Sequence, residues 1–264
     1  MENSSLPLSR SGRTPIEVAT YAAQEAGEVL VAHFTSKKII KHKSRGNLVT
    51  EVDTLSEKLI VNLLKDEYPD HRVLSEETNA TTPVNGYTWI VDPLDGTNNY
   101  VFGIPNFCVT IALVHDDDIL LGITFDPLKK ELFHTGKGRG TYLNNSLVQV
   151  TQISLLKDAL VGFDMGYNDE QGKKMLGIAN KLWGQVHCIR MMGSSALGLA
   201  YVACGRMSLY FHCYIYPWDI ASGLLLVREA GGKVIDWQGN QAGFHMKGII
   251  ASNELLWKQF LSFY

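Results

Sequence analysis

The sequence predicts a layered α/β protein, and three observations lead to this prediction. Short apolar strands separated by polar turns run from about residue 87 to residue 135, which is typical of an antiparallel meander. From about residue 159 onward, strands alternate with helices, as expected for sheets covered by helices. With 264 residues, 45% of them hydrophobic, the chain is long enough to bury a large core between such layers.

Composition and charge exclude several classes of protein. Charged residues make up 19% of the chain, which excludes a disordered chain or a coiled coil. The 24 Lys and Arg against 27 Asp and Glu give a net charge of −3, so we expect neither nucleic-acid binding nor a polybasic membrane anchor. The apolar runs fall far short of the roughly 20 residues that span a bilayer. The polar N-terminus lacks the apolar segment of a secretory signal, so we expect a cytoplasmic protein.

The elements of the first half follow from capping patterns and periodicity. Thr14, Pro15 and Glu17 form a capping-box pattern that predicts a helix start. That helix carries an apolar stripe, which comprises Ile16, Ala19, Ala23, Ala26 and Leu30. Residues 37–43 predict a strand or part of a hairpin. A second helix is predicted from Asp53 or Thr54 to the Tyr68-Pro69 pair. Its inward-facing residues are predicted to be Leu55, Leu59 and Leu63.

The remaining strands and helices follow the two patterns described above. Strands are predicted at 72–76, 87–91, 107–114, 119–125 and 131–135 in the first half. In the second half strands are predicted at 159–163, 186–189, 207–211 and 248–251, and helices at 169–183, 194–204, 217–230 and the C-terminus. The change from consecutive strands to alternating strands and helices predicts a domain boundary near residues 145–158. We therefore divide the chain into 1–150, with the antiparallel sheet, and 151–264, an α/β half.

The most informative local sequence is Asp92-Pro93-Leu94-Asp95-Gly96-Thr97, which follows a buried strand. Two carboxylates and the Leu94 carbonyl on one tight turn are hard oxygen ligands, which suit Mg²⁺ better than zinc. Gly96-Thr97 can then open a short helix whose free N–H groups would face a phosphate. An Asx turn followed by a helix cap explains the same residues without a metal, and both interpretations stay open for this segment alone.

Three further acidic positions lie at predicted strand or helix ends, namely Asp53, Glu76-Glu77 and Asp219. Each has a structural alternative when taken singly. Asp53 can serve as a helix cap, and Asp219 can complement a helix dipole. Glu76 and Glu77 can be a solvated pair.

Together these segments resemble the inositol monophosphatase family of lithium-sensitive, magnesium-dependent phosphatases. The family pattern is an Asp, then Glu-Glu, then Asp-Pro-(Ile/Leu)-Asp-Gly-Thr, then Trp-Asp. Here the pattern corresponds to Asp53, Glu76-Glu77, the segment 92–97 and Trp218-Asp219, and the segments 190–195 and 219–232 are also similar to the family. The resemblance runs from about residue 14 to the C-terminus. It implies a layered α-β-α-β-α sandwich, like that of fructose-1,6-bisphosphatase, and a homodimer.

The resemblance also implies a role for each matching residue. Glu76, Asp92 and the Leu94 carbonyl would bind a first Mg²⁺, and Asp92, Asp95 and Asp219 a second, while Glu76 would hold a third ion through water. Thr97, paired with Asp53, would polarise the attacking water, and with Glu76 these form the implied catalytic set. Substrate contacts are implied for Asp95, Gly96, Thr97, Gly193, Ser194, Ser195, His212 and Asp219. Two metals can neutralise the phosphoryl oxygens, activate water and stabilise the leaving alkoxide.

One departure from the family pattern bears on specificity. Members selective for inositol resemble Tyr-x-Glu where this chain has Tyr210-Phe211-His212. His212 can still hydrogen-bond a hydroxyl, but it carries no fixed negative charge and would favour an anionic substrate when protonated. The alternative is a surface histidine at a strand end. The position predicts a substrate range that is not restricted to inositol phosphate.

Several functions remain open. The leading one is a Mg²⁺-dependent phosphomonoesterase acting on inositol monophosphate or a related small sugar phosphate. Fructose-1,6-bisphosphatase, NADP(H) phosphatase and 3′-phosphoadenosine phosphatase activities are alternatives, as is a regulatory binding protein on the same fold. The glycine-rich segment 136–140 is interpreted as a hairpin turn rather than a cofactor loop. Cys108 is expected in the core, and the four cysteines are expected to be free thiols. Lys41 and Lys43 are expected to form a solvated basic face, with an approach to the site as the alternative.

Overall fold

Helices and sheets alternate in five layers in the computed structural model, which describes residues 6–44, 47–78 and 80–263. The helices within these ranges are α1 (Pro15–His33), α2 (Glu51–Glu67), α3 (Thr97–Val101), α4 (Asp169–Leu182), α5 (Ser195–Ala203), α6 (Pro217–Glu229) and α7 (Leu256–Phe263). A short 3₁₀ turn spans Leu156–Asp158. None of these helices combines the length and the apolar character needed to cross a membrane.

The strands form two large sheets and one hairpin. The hairpin pairs β1 (Ile40–Ser44) with β2 (Asn47–Thr50). The seven-stranded sheet contains, in spatial order, β3 (Arg72–Ser75), β4 (Tyr87–Asp95), β5 (Cys108–His115), β6 (Asp118–Asp126), β7 (Glu131–Gly136), β8 (Thr141–Leu143) and β9 (Ser146–Val148). The five-stranded sheet has the order β11-β10-β12-β14-β13, formed by β10 (Leu160–Phe163), β11 (Cys188–Met191), β12 (Leu209–His212), β13 (Lys233–Ile235) and β14 (Ile249–Ser252).

Three apolar clusters hold the layers together. Helices α1 and α2 cover one face of the seven-stranded sheet, with Leu30, Ile60 and Trp89 buried between them. Helices α5 and α6 fill the space between the two sheets, and α4 and α7 pack with the five-stranded sheet around residues such as Phe260. Burial of side chains of this size is the main stabilising contribution to such a fold. The order of the layers is therefore α-β-α-β-α, and the predicted fold class is confirmed.

Most predicted elements are present, with shifts at their ends. The antiparallel meander is confirmed from β4 to β7, and residues 136–140 form the turn between the antiparallel strands β7 and β8. Cys108 is buried and the four cysteines are free, as expected. The sequence analysis missed the short strands β8, β9 and β13. The division at residue 150 stays a prediction, although the apolar cluster around α5 and α6 contains residues from both sides of it.

The start of α2 differs from the prediction. The helix begins at Glu51 with Thr50 as its cap, because the Thr50 side chain accepts from Val52 N–H while Asp53 reaches back to the Thr50 N–H. The predicted pattern used Thr54 and Glu57, one turn too late. The buried face also differs from the prediction, because Leu55 is exposed, Leu59 and Leu63 are half-buried, and the buried apolar stripe comprises Val52, Ile60, Val61 and Leu64.

Candidate active site

A cavity of about 250 Å³ opens between the ends of the two large sheets and the start of α6. Every residue that the sequence analysis assigned to the site lines this cavity, with the exception of Asp53, which lies behind Thr97. Residues far apart in the chain meet here because β4 carries Asp92 and Asp95, α5 is capped by Ser194, and α6 carries Asp219 in its first turn.

A bulge in β4 brings two of the acids to the same side of the strand. Residues three apart on a regular strand point to opposite faces, because side chains alternate with a period of two. The pairing of β4 with β5 slips between Asp92, opposite Thr110, and Asp95, opposite Cys108, so three steps on β4 match two on β5. Pro93, which has no N–H to donate, lies within this irregularity. The strand thus continues to Asp95 instead of ending at Val91 as predicted.

The carboxylates of Asp92, Asp95 and Asp219 form an acidic cluster, in which Asp92 and Asp95 are buried and Asp219 is half-buried. One oxygen atom of each carboxylate lies within 4.8 Å of the others. Burial, followed by the charges of Glu76 and Asp95, raises the pKa of Asp92 and of Asp219 well above the ordinary range. Burial also raises the pKa of Asp95 to about 6, although Ser194 and the Ala196 N–H donate hydrogen bonds to it. Buried carboxylates that repel one another in this way provide hard oxygen ligands for a divalent cation.

Both proposed structural alternatives for these acids are also present. The Leu94 N–H donates to Asp92 Oδ1 at 2.9 Å, which is the Asx turn considered for this segment. Asp219 Oδ2 accepts from the Tyr216 N–H at 2.7 Å and so caps α6. Capping orients each carboxylate and leaves its second oxygen facing other groups, so the structural and the metal-binding interpretations are compatible.

Thr97 and Asp53 form the pair that the resemblance implies. The Thr97 hydroxyl lies 3.1 Å from Asp53 Oδ1 and 3.0 Å from the Leu94 carbonyl oxygen, and both groups can accept its proton. Asp53 is held by the capping box of α2, where its Oδ2 accepts from the Thr50 N–H and hydroxyl. Burial raises the pKa of Asp53, and these hydrogen bonds oppose that rise.

Glu76 faces the cavity but is paired with a lysine from the β1–β2 hairpin. Lys43 Nζ lies 2.9 Å from Glu76 Oε1 and 2.6 Å from Glu77 Oε1. The N–H groups of Glu77 and Thr78, in the following turn, donate to Glu57 on α2 and fix the position of the turn. Lys43 therefore approaches the site, so the expectation of a solvated basic face is wrong for this lysine, and Glu76 and Glu77 are not a freely solvated pair.

The glycine and serine residues of the site shape its backbone. Gly96 has φ +95°, and a Cβ there would lie 3.0 Å from the Asn106 carbonyl oxygen, so only glycine fits this junction with α3. The Gly193 N–H donates to Asp164 at 2.6 Å. Ser194 is buried, donates to Asp95 and caps α5 by accepting from the Leu197 N–H. Ser194 therefore has protein partners for its hydroxyl, and its contact with substrate stays a prediction.

His212 is a buried and neutral cavity residue. It is 3% exposed, so the alternative of a surface histidine is wrong. Burial lowers the pKa of His212 to about 3, which contradicts the expectation that a protonated ring would favour anionic substrates. Its Nδ1 accepts from the Tyr214 N–H at 3.0 Å, and this hydrogen bond assigns the ring proton to Nε2.

Several cavity residues were not predicted from the sequence, and Asp164 is the acid among them. Asp164 follows β10 directly, so the rule that selected Glu76, an acid at the end of a predicted strand, could have identified it. Burial raises its pKa to about 7, while the Gly193 N–H and the Tyr210 hydroxyl donate to its two oxygens. Tyr167, Tyr214 and Tyr216 were also not predicted, because no periodic pattern or motif marks a single aromatic residue outside a strand as part of a site.

Solved structures that superpose on this chain include proteins named suhB and inositol monophosphatases. The extragenic suppressor protein suhB from Bartonella henselae superposes with a TM-score of 0.88 at 33% identity, covering 94% of this chain and 97% of that one. An IMPase from Thermotoga maritima superposes with a TM-score of 0.87 at 30% identity, covering 94% and 95%.

The sequence comparisons give the family. The profile of the inositol monophosphatase family matches residues 13–262, and the chain belongs to this family. Inositol monophosphatase 2 of Solanum lycopersicum is 39% identical over 255 residues, which are 94% of this chain and 96% of that protein. A protein named Nus factor SuhB from Xylella fastidiosa is 39% identical over 232 residues, covering 86% and 83%. The fold and the family support a phosphatase, as the resemblance implied.

Proposed function

We propose that this protein is a Mg²⁺-dependent phosphomonoesterase that hydrolyses small phosphate esters, including inositol 1-phosphate, by direct attack of water. The observation that supports this proposal most strongly is the cluster of Asp92, Asp95 and Asp219 next to the Thr97–Asp53 pair. The cluster provides hard anionic oxygens, and the pair provides a hydroxyl whose proton is directed toward a carboxylate. Hydrolysis of a phosphate ester requires both kinds of group near the phosphorus atom.

The donor set fits magnesium because all its members are carboxylate or carbonyl oxygens. Glu76, Asp92 and the Leu94 carbonyl would hold a first ion, Asp92, Asp95 and Asp219 a second, and Glu76 a third through water. When bound, such ions neutralise the phosphoryl oxygens and lower the pKa of water. The same resemblance supports a proposal that lithium inhibits the enzyme, which titration with LiCl would test.

The chain's own residues would position the water and the ester. With its proton on the Asp53 side, the Thr97 oxygen retains a lone pair that can accept a hydrogen bond from the attacking water. The N–H groups around Gly96 would face the phosphate, and the segment 193–195 would border the alcohol, although the Gly193 N–H itself already donates to Asp164. His212 would donate its Nε2 proton to an oxygen of the alcohol, since its Nδ1 already accepts from Tyr214.

A panel of phosphate esters, read by phosphate release with and without Mg²⁺, tests this proposal. Inositol 1-phosphate, fructose 1,6-bisphosphate, NADP and 3′-phosphoadenosine 5′-phosphate separate it from the alternative phosphatase activities. We expect release that requires Mg²⁺ and is abolished by EDTA. Release that is unaffected by EDTA would contradict the metal-dependent assignment, and release from only one of the last three substrates would assign the corresponding phosphatase activity instead.

A regulatory role is the second candidate, because relatives such as those of Xylella fastidiosa and Pseudomonas aeruginosa are named Nus factor SuhB. A folded but inactive variant, Asp92→Asn, distinguishes the two roles in the cell. If this variant corrects a defect caused by loss of the gene, the function behind that defect does not depend on catalysis. We also propose a homodimer from the family resemblance, and sedimentation of the purified protein would measure its oligomeric state.

A further inference from the structure

The cavity has two walls of different chemistry. The acids come from β4, the turn after β3 and the first turn of α6, whereas the other wall is formed where β10, β11 and β12 end at neighbouring positions of the five-stranded sheet. This second wall, which we call the aromatic wall, comprises Met165, Tyr167, Met191, Tyr214 and Tyr216. It lies in the same cavity as the acidic cluster and can contact the alcohol part of a bound ester.

The aromatic wall is fixed in place by contacts within the protein. Tyr216 stacks on Trp218, with ring centroids 5.0 Å apart and an angle of 8°, and Lys247 Nζ lies 4.3 Å from the Tyr216 centroid. Tyr214 meets Tyr216 edge-on at 5.8 Å. Trp218 and Lys247 both contact the Tyr216 ring, so Tyr214 and Tyr167 are the tyrosines best placed to contact a ligand. Tyr167 is 44% exposed.

The loops that carry these two tyrosines are in close contact. Gly166 has φ +66°, and a Cβ at this position would lie 2.9 Å from the Tyr214 carbonyl oxygen. Tyr167 follows Gly166 directly, and the Tyr214 N–H is held by His212 at 3.0 Å. The two rings are therefore attached to a packed backbone, so a ligand that covers them orders little additional chain.

The wall offers few acceptors for the hydroxyl groups of a polyol. Among the described residues that line the cavity, Asp164 is the carboxylate that lies outside the acidic cluster and Glu76. Its two oxygens already accept from the Gly193 N–H at 2.6 Å and the Tyr210 hydroxyl at 2.8 Å. His212 is neutral and uses its acceptor nitrogen within the protein. Apart from the tyrosine hydroxyl groups, this wall thus offers the hydroxyl groups of a polyol apolar ring faces instead of carboxylate acceptors.

We propose that the alcohol released by this enzyme carries a flat aromatic or heteroaromatic ring that packs against Tyr167 and Tyr214. This inference rests on the proposed phosphatase function and narrows its substrate class. An aromatic pair contributes binding beyond that of equal apolar area, because ring edges and faces attract each other electrostatically. Inositol 1-phosphate, whose ring is saturated and carries hydroxyl groups, would then be hydrolysed, but less efficiently than an ester with an aromatic ring.

The test compares 2-phenylethyl phosphate, 2-cyclohexylethyl phosphate and inositol 1-phosphate. The first two release primary alcohols of the same length, so they differ mainly in whether the ring is aromatic. We expect kcat/KM for the phenyl ester to exceed that for the cyclohexyl ester by about threefold or more. We also expect it to exceed that for inositol 1-phosphate by about tenfold. Equal kcat/KM values for the phenyl and cyclohexyl esters, or a preference for inositol 1-phosphate, would overturn the inference and leave the phosphatase proposal intact. Absence of Mg²⁺-dependent release from all three would overturn both.

Variants of the two tyrosines locate the effect. Tyr167→Leu and Tyr214→Leu should bring the phenyl-to-cyclohexyl ratio close to one, whereas Tyr167→Phe and Tyr214→Phe should retain it. Tyr21→Leu is the matched control, because Tyr21 is 41% exposed and lies on α1. Each ratio is measured on one preparation, so a change in the folded fraction cancels. An unchanged ratio in both leucine variants would show that these rings do not contact the substrate.

Discussion

At Thr97, one hydroxyl group lies within hydrogen-bond distance of two acceptors and also borders the cavity. We predict that Thr97→Val lowers kcat by about 100-fold or more, while the Mg²⁺ concentration for half-maximal activity changes little. Valine has nearly the same shape but cannot orient the attacking water. Steady-state kinetics over a Mg²⁺ titration measure both quantities. An unchanged kcat with a raised Mg²⁺ requirement would instead assign Thr97 to holding the metal-binding turn.

At His212, a buried ring that accepts from the Tyr214 N–H lies where the resemblance implies a glutamate in inositol-selective members. We predict that His212→Glu raises the kcat/KM ratio of inositol 1-phosphate to other sugar phosphates by about tenfold, because a carboxylate accepts polyol hydroxyls strongly. Glutamate can also accept from the Tyr214 N–H, so the loop retains its partner.

His212→Gln is the matched control for this substitution, because glutamine provides a side-chain acceptor but carries no charge. It should leave the substrate ratio unchanged. A ratio that does not respond to His212→Glu, or a wild-type enzyme strongly selective for inositol 1-phosphate, would show that position 212 does not set specificity.

At the scale of elements, the central layer depends on a close contact between β6 and α6. A Cβ at Gly122 on β6 would lie 2.8 Å from the backbone carbonyl oxygen of Ser222 on α6, and backbone cannot move aside as a flexible side chain can. We predict that Gly122→Ala lowers the free energy of unfolding by about 1–3 kcal/mol, as measured by urea denaturation.

Gly177→Ala provides the control for that experiment. Gly177 lies within α4, and no heavy atom outside its own helix turn lies within 4 Å of an added Cβ. Alanine there should raise the free energy of unfolding by about 0.4–1 kcal/mol, because it reduces the entropy of the unfolded chain. A Gly122→Ala protein as stable as the wild type would mean that the two layers can separate at no cost.

The elements also show what periodicity could predict and what it could not. The meander and the alternating second half were predictable, because each element carries an apolar pattern of its own. The bulge in β4 was not, since it depends on pairing with β5 rather than on the sequence of β4. The start of α2 was misplaced because Thr50 and Thr54 offer equivalent capping patterns, and only tertiary packing distinguishes them.

At the scale of the whole molecule, the acidic part of the site could be predicted and the alcohol-binding part could not. Asp92, Asp95 and Asp219 were recognisable because acids at strand and helix ends form an ordered motif that matches the family. Tyr167 and Tyr214 lie in loops, and only the neighbouring positions of β10 and β12 bring them together. His212 was singled out by its mismatch, but its burial and its charge state required the structure.

The phosphate-release rate of Asp92→Asn, measured with saturating Mg²⁺ on a protein verified as folded, tests the central claim most directly. Asp92 lies within 4.8 Å of both other acids and would be shared by two ions, so its amide variant should lose activity by about 1,000-fold or more. Asp118→Asn, which changes an exposed carboxylate paired with Lys137, should retain activity. A folded Asp92→Asn protein with nearly normal Mg²⁺-dependent turnover would contradict the account.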